Sequence, residues 1–221
     1  MNGPMQVWVP VKDRHDLTEQ FIAGYQQQTG RHDLHIIDNA STTPTPDWPN
    51  THRHTGGIHD MWNWALDHTP LNANAVLANN DIEFLDGNVL EQLDQLLHQH
   101  PEIGVASPHH GHPNHPTTGA AIQVPPVAAP RGGPAGFFMA IPPRTHHQYR
   151  FPNYRWWYGD TDLFHTVHYL HGRACAIHTG IRVEHIGGGT QTEAPPTRGA
   201  DIEADRAMFD QRWGSQLTGG V

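Results

Sequence analysis

Residues 75–84 read AVLANNDIEF, and the fold turns on how that stretch is parsed. Ala75-Val76-Leu77-Ala78 is a short, continuous apolar run of the kind found in strands covered on both faces. It stops at Asn79-Asn80-Asp81 before Ile82 and Phe84 resume. A carboxylate and two amides closing a buried strand call for a reason. One is available, because in open α/β sheets ligands bind outside the carboxyl ends of the strands.

Upstream, Gln6–Val11 (QVWVPV) reads as a first strand, and Leu17, Phe21, Ile22 and Tyr25 fall at helical spacing within Asp16–Gln28. Leu34–Ile37 reads as a second strand, and Gly57–Asp67 as a helix with Ile58, Met61, Trp62, Ala65 and Leu66 on one face. With Ala75–Ala78 as the third strand the order is βαβαβ, which favours a parallel sheet between layers of helix. Downstream the pattern predicts a helix at Gly87–His98, a strand at Ile103–Ala106 and a long proline-rich loop over 107–135. Then come a strand at Gly136–Ile141, a helix at Thr161–Leu170, strands at Ala174–His178 and Arg182–His185, and a last helix at Ile202–Trp213. The expected fold class is α/β, one domain with a mostly parallel central sheet.

The bulk properties fit that reading. A chain of 221 residues is long enough for one sizeable core. A formal charge of -9 argues against broad, non-specific binding of nucleic acid. Cys175 is the single cysteine, which excludes an intramolecular disulfide and suggests a reducing compartment. No stretch approaches the roughly 20 apolar residues of a membrane span, and the N-terminus does not read as a targeting segment. A cytoplasmic protein without membrane insertion is the expectation.

Three successive strands end in polar clusters: Lys12-Asp13-Arg14, Asp38-Asn39-Ala40-Ser41 and Asn79-Asn80-Asp81. Any one alone reads as a turn or a helix cap; their repetition points to a ligand site. Neither a G-x-G-x-x-G nor a P-loop follows the first strand, so a bound diphosphate needs another counter-charge. A divalent ion held by Asp81 and the diphosphate oxygens would supply it. The four histidines His109, His110, His112 and His115 lie among prolines without a cysteine and are not expected to form a zinc site.

Seven segments, VPVKDR (9–14), IIDNAS (36–41), GGIHDMWNWAL (56–66), LANNDIEF (77–84), GPAGFFMAI (133–141), WWYGDTDLF (156–164) and VEHIGGGTQ (183–191), come in that order. The ordered set resembles the family 2 glycosyltransferases of GT-A fold, and FDQRWG (209–214) is similar to family tails. The resemblance implies a nucleotide-binding half over about 5–107, an acceptor and catalytic half over about 118–190, and a C-terminal helix over about 199–213. It implies an inverting transfer from a nucleotide sugar, a UDP-sugar first among them, with Mn²⁺ or Mg²⁺ as cofactor. Asp38 would read the nucleoside, with Pro10, Val11 and Arg14 around it. Asn39, Ser41, Gly57, Asn63, Asn79, Asn80, Asp81, Gly136, Trp157 and Tyr158 would line the rest of the substrate site. The family's D-x-D motif falls on Asn79-Asn80-Asp81, where only the last acid is kept. The implied metal ligands are Asp81 and His185, and the implied base is Asp160, with Asp162 the competing choice. Both acids stand at a helix start, where free N–H groups favour a carboxylate.

Arg144–Tyr158 (RTHHQYRFPNYRWWY) is basic, aromatic and free of acids, directly before the implied base. Aromatic faces stack on sugars or extruded bases, so the acceptor classes are a small molecule, a protein or a hydroxylated DNA base. The competing reading is that these aromatics fill core. Two rival functions remain at this level: a nucleotidyltransferase on a similar sheet, and an inactive carbohydrate- or nucleic-acid-binding module, suggested by Asn79 and Gly159 where acids are common. The oligomeric state is not legible.

Overall fold

The computed structural model describes residues 3–48, 50–109, 122–123, 136–187 and 197–217. In chain order the elements are β1 (Met5–Val11), α1 (His15–Tyr25), β2 (His32–Asp38), β3 (Thr51–Arg53), α2 (Ile58–His68), β4 (Ala75–Ala78), β5 (Ile82–Phe84) and α3 (Val89–Gln99). There follow β6 (Ile103–His109), β7 (Ile122–Gln123), β8 (Phe138–Ile141), α4 (Pro143–His146), α5 (Gly159–His165), a π-helical turn (Thr166–Leu170), β9 (Ala174–His185) and α6 (Arg198–Leu217).

One sheet in the order β3-β2-β1-β4-β8-β6-β9-β5 runs through the molecule, with β7 also on β9. Alternation along β1 explains its two covers. Val7, Val9 and Val11 face a core that includes Phe21 of α1 and Leu90, Leu93 and Leu97 of α3. Trp8 faces the other way, with Met61, Trp62, Ala65 and Leu66 of α2 and Leu163 and Phe164 of α5. A smaller cluster of Tyr154, Phe209 and Trp213 seats α6. The arrangement is a mixed α/β single domain in three layers.

The sheet corrects one expectation: it is mixed, not mostly parallel. Among the described residues four of its eight pairings are parallel (β1 with β2 and β4, β2 with β3, β6 with β9) and four are antiparallel. The βαβ argument reaches only β1, β2 and β4. β8 is an apolar run with no direction written in it, and it enters antiparallel between β4 and β6. The two late strands are also one: β9 runs on through Thr179-Gly180, pairing parallel with β6 as far as Arg182, with a register irregularity between His178 and Arg182, and antiparallel with β5 over Val183–His185. The strand at Ile103 continues through His109 rather than ending at Ala106; His110, His112 and His115 lie outside the described residues. The helix foreseen at Thr161 begins at Gly159 and widens into the π turn, closed by His171 N–H on Thr166 C=O at 3.0 Å.

The direction of β8 matters for the site. Because Ala78 faces Phe138 in antiparallel register, the residues just before β8 lie at the rim where β4 ends.

Candidate functional site

The polar strand ends converge as expected from their positions. Asn39 N–H donates to Val11 C=O at 2.8 Å, and Asp13 N–H to Ser41 Oγ at 2.9 Å, tying the β1 end to the β2 end. Asp13 in turn accepts from Thr42 N–H at 2.6 Å and Thr42 Oγ1 at 2.7 Å, which holds its carboxyl below the usual carboxylate range. Asn80 Nδ2 donates to Thr18 Oγ1 at 3.0 Å, joining the β4 end to the first turns of α1. Asp38 is 6 % exposed; it accepts Ser41 N–H at 2.9 Å and lies 3.9 Å from the Arg53 guanidinium. Val11 and Pro10 are buried beneath this rim, and Arg14 pairs with Asp16 at 3.0 Å.

Non-glycine residues hold left-handed backbone at three of these junctions: Asp13 (φ 55°), Ala40 (φ 50°) and Tyr158 (φ 69°). Such conformations cost of order 1–3 kcal/mol each and collect at functional sites.

Asp81 is 8 % exposed, and its Oδ1 lies 3.2 Å from His185 Nε2. Asp81 Oδ1 is buried without a hydrogen-bond partner. A buried oxygen left unmatched costs about 1–3 kcal/mol unless something else takes it. The backbone brings the two residues together: β5 pairs with β9 in the register Ile82 to His185, and Ile186 N–H donates to Asp81 C=O at 3.0 Å. The His185 ring stacks on Phe137 at 4.1 Å between centroids, and Phe137 C=O accepts Asn79 N–H at 2.9 Å. An oxygen and an imidazole nitrogen facing each other fit a divalent cation that draws its remaining ligands from phosphate and water. Among the described residues no group of three or more His, Cys, Asp or Glu could hold a metal, so a protein-only cage is absent there.

Asp160 adjoins this pair through Gly136. A Cβ on Gly136 would stand 2.0 Å from Asp160 Oδ2, so the carboxylate lies directly over the glycine that precedes Phe137. Its Oδ1 accepts Thr161 N–H at 2.7 Å. Asp162 differs in every respect. It is 0 % exposed and accepts from Tyr149 OH at 3.0 Å, Tyr154 OH at 3.0 Å and Trp213 Nε1 at 2.8 Å, with Arg212 Nε at 3.3 Å. Burial and that carboxylate raise both phenols, the Tyr149 hydroxyl well above its ordinary range.

Other expected substrate residues turn out to clamp the backbone. Asn63 bridges to Phe151, donating to its C=O at 2.9 Å and accepting its N–H at 2.8 Å. Asn39 does the same to Gly56, at 3.1 Å each way. Gly57 starts α2, its N–H donating to Asp60 Oδ2 at 2.9 Å. Trp157 is 53 % exposed and Tyr158 stacks on Phe209 at 5.1 Å.

The basic, aromatic segment divides. Tyr149, Phe151 and Tyr154 are buried core. Arg144 donates to the carbonyls of Leu97, His100 and Ile103, Arg150 pairs with Asp67, and Arg155 pairs with Asp201 at 2.7 Å, so its cations are engaged within the chain.

Two residues at this rim escaped the sequence reading. Asp205 of α6 is 2 % exposed and accepts the N–H groups of Arg155, Trp156 and Trp157 at 2.8–3.0 Å. His59 is 3 % exposed, its Nδ1 2.7 Å from Tyr154 C=O. Both carried a signal: Asp205 precedes Phe209 and Trp213 at four-residue spacing, and His59 precedes Trp62 and Leu66, so each is a polar residue on an inward helix face.

No protein-family model matches the chain, and no curated protein matches it in sequence. Solved structures do share its fold. GalNAc-T7 with UDP, GalNAc and Mn²⁺ matches with a TM-score of 0.65 at 12% identity, over 89% of this chain and 45% of that one. A Drosophila beta-1,4-galactosyltransferase 7 in complex with manganese, UDP-Gal and xylobiose matches with 0.55 at 14% identity, over 90% and 79%. S. aureus TarS matches with 0.54 at 15% identity, over 81% and 57%. The chain therefore spans about half the length of TarS and GalNAc-T7, at 57% and 45%. At these identities the likeness is one of fold, the GT-A arrangement of the glycosyltransferases.

Proposed function

We propose that the chain is a metal-dependent glycosyltransferase that moves a sugar from a UDP-sugar to an acceptor hydroxyl with inversion at the anomeric carbon. The observation that carries this reading is the pair Asp81 Oδ1 and His185 Nε2, 3.2 Å apart at the rim, with the buried oxygen unmatched. The GT-A fold shared with GalNAc-T7 and the galactosyltransferase, both solved with a uridine nucleotide and manganese, supports it.

Asp81 and His185 would hold the ion, Mn²⁺ or Mg²⁺, which when bound supplies positive charge against the diphosphate oxygens. The β1 and β2 ends, with Pro10, Val11, Arg14, Asp38 and Ser41, form the nucleoside side. Asp160 removes the proton from the acceptor hydroxyl as its oxygen attacks the anomeric carbon; the sugar–phosphate bond breaks and UDP departs. Asp160 is assigned this role over Asp162, because the oxygens of Asp162 already accept from Tyr149, Tyr154 and Trp213.

UDP with Mn²⁺ is expected to raise the melting temperature more than either alone, and Asp81→Asn to abolish the synergy. No shift with UDP and Mn²⁺ together would end the proposal. Slow release of UDP from a UDP-sugar in the presence of Mn²⁺ is the accompanying assay; Asp160→Asn should lower its rate by about 10²–10⁴-fold while leaving the UDP shift intact. Release of pyrophosphate from UTP instead would point to a nucleotidyltransferase.

Among the described residues no helix is long and apolar enough to cross a membrane.

A further inference from the structure

Asp160 stands on a turn whose rear is unusual. A Cβ on Gly159 would meet His59 Nε2 at 2.0 Å and Cδ2 at 2.2 Å. Real Cβ atoms do not approach other atoms so closely, so the imidazole of α2 occupies the space a side chain at position 159 would need. The ring cannot easily leave. Its Nδ1 is 2.7 Å from Tyr154 C=O, which can only accept, so Nδ1 carries the proton and Nε2 is bare. Phe151 lies along the ring at 5.8 Å and Trp62 packs edge-on at 5.4 Å. Burial pushes the imidazole below its ordinary value, against the opposing pull of the Tyr154 carbonyl and of Asp160, Asp205 and Asp60.

The front of the turn is closed as tightly, since Gly136 leaves only enough room for Asp160 Oδ2. The carboxylate is thus held between two glycine notches, one filled by itself and one filled by His59. The same histidine sits one residue before Asp60, which receives Gly57 N–H, and Gly56 is bridged to Asn39 at the end of β2. Through α2 the ring connects the nucleoside rim to the base-bearing turn.

We propose that His59 is a positioning residue: its imidazole, seated in the Gly159 notch and tethered to Tyr154, sets where Asp160 meets the acceptor hydroxyl. This rests on the reading of Asp160 as the base, and the test separates the two. His59→Asn keeps an amide nitrogen near the place of Nδ1, able to donate to Tyr154 C=O, and empties the notch. Gly159→Ala fills the notch against the histidine.

The first measurement is a thermal double-mutant cycle, which needs no substrate. Gly159→Ala alone should lower the melting temperature sharply, and should lower it far less when introduced beside His59→Asn. Equal losses in both backgrounds would overturn the placement. The second measurement is UDP release from a UDP-sugar with Mn²⁺. His59→Asn should cut kcat by about ten- to a hundredfold with KM for the UDP-sugar changed less than about twofold, since misplacing a catalytic group costs turnover rather than donor binding. Addition of Gly159→Ala should restore part of the lost kcat by refilling the notch from the other side. A wild-type kcat in His59→Asn, or a change in KM alone, would reduce His59 to packing. A wild-type protein inert toward every UDP-sugar would instead end the proposed function, and the thermal cycle would still decide whether His59 fills the notch.

Discussion

The two sides of the rim are built by different means. On one side β1, β2 and β4 run parallel, and each delivers its polar residues at the point where the strand stops. The hydrogen bonds there join neighbouring strand ends, as between Asp13 and Ser41, or a strand end to α1, as between Asn80 and Thr18. On the side that carries Asp160 there is little regular structure to do this. Residues 149–162 are positioned by buried side chains from distant elements: Asp162 gathers Tyr149, Tyr154 and Trp213, Asp205 gathers three backbone N–H groups, and Asn63 and His59 reach in from α2. One side is positioned by the sheet, the other by two enclosed carboxylates. Damage to a carboxylate hub should therefore spread further than damage to a strand end.

The sharpest way to break that contrast is Asp162→Asn. An amide cannot accept from all of Tyr149, Tyr154 and Trp213, and the Arg212 guanidinium loses its counter-charge. A loss of about 3–5 kcal/mol is expected from disrupting a buried charged network, read as a lower denaturant midpoint. Asp38→Asn, whose carboxylate makes one short bond to a backbone N–H and a long one to Arg53, should cost much less. Equal losses would mean that the two sides are held alike.

Gly136→Ala comes next. Its added methyl collides with Asp160 Oδ2, so the carboxylate or the turn before β8 must shift. The stability loss should be about 1–3 kcal/mol, as for other overpacked sites, while UDP release falls at least tenfold, a fold-change typical of a displaced catalytic group.

A further effect is in the pH response, to which two histidines contribute. Burial, reinforced by His52, pushes His35 of β2 down to about 4. Burial likewise pushes His146 of α4 to about 4, with His147 and Arg150 adding to it and the Ala73 carbonyl opposing. In the unfolded chain both titrate near 6.5. Above that value both states are neutral and neither group biases folding. As pH falls from 6.5 toward 4 the unfolded chain takes up protons the folded one refuses, and stability is lost. For His146, which is 1 % exposed, the slope is about 1.4 kcal/mol per pH unit. His146→Gln keeps a donor for Ala73 C=O and cannot charge, so its denaturation midpoint should fall less between pH 6.5 and 4 than that of the wild type.

The contrast also explains what the sequence could say. Ala75–Ala78, Gln6–Val11 and the acceptor-rich residues after them are local signals, so the three parallel strands and their polar ends are legible in the sequence. Helices α1, α2 and α3 were legible by their apolar spacing. The direction of β8 was not, because four apolar residues look the same either way round. Nor was the difference between Asp160 and Asp162. Two residues apart on one helical turn, they part company only through Tyr149, Tyr154 and Trp213, the last 51 positions away. Asn63 and Asn39, which the resemblance places in the substrate site, clamp a neighbouring backbone, a use to which an amide is equally suited. The short edge strand Thr51–Arg53 has too few residues for any period to show.

β9 starts beside β6 and ends against β5, so its last residue arrives opposite the one that follows Asp81. The spacing of Asp81 and His185 is thus dictated by a backbone ladder rather than by the packing of loops. On the proposed function, a cation entering there would meet two side chains whose ordering entropy was already spent when the chain folded, and little of its binding energy would be drawn off to organise them. The same construction is unforgiving of length: deleting Glu184 from the β5–β9 ladder would turn the imidazole to the opposite face of the strand and separate it from Asp81 without altering either residue.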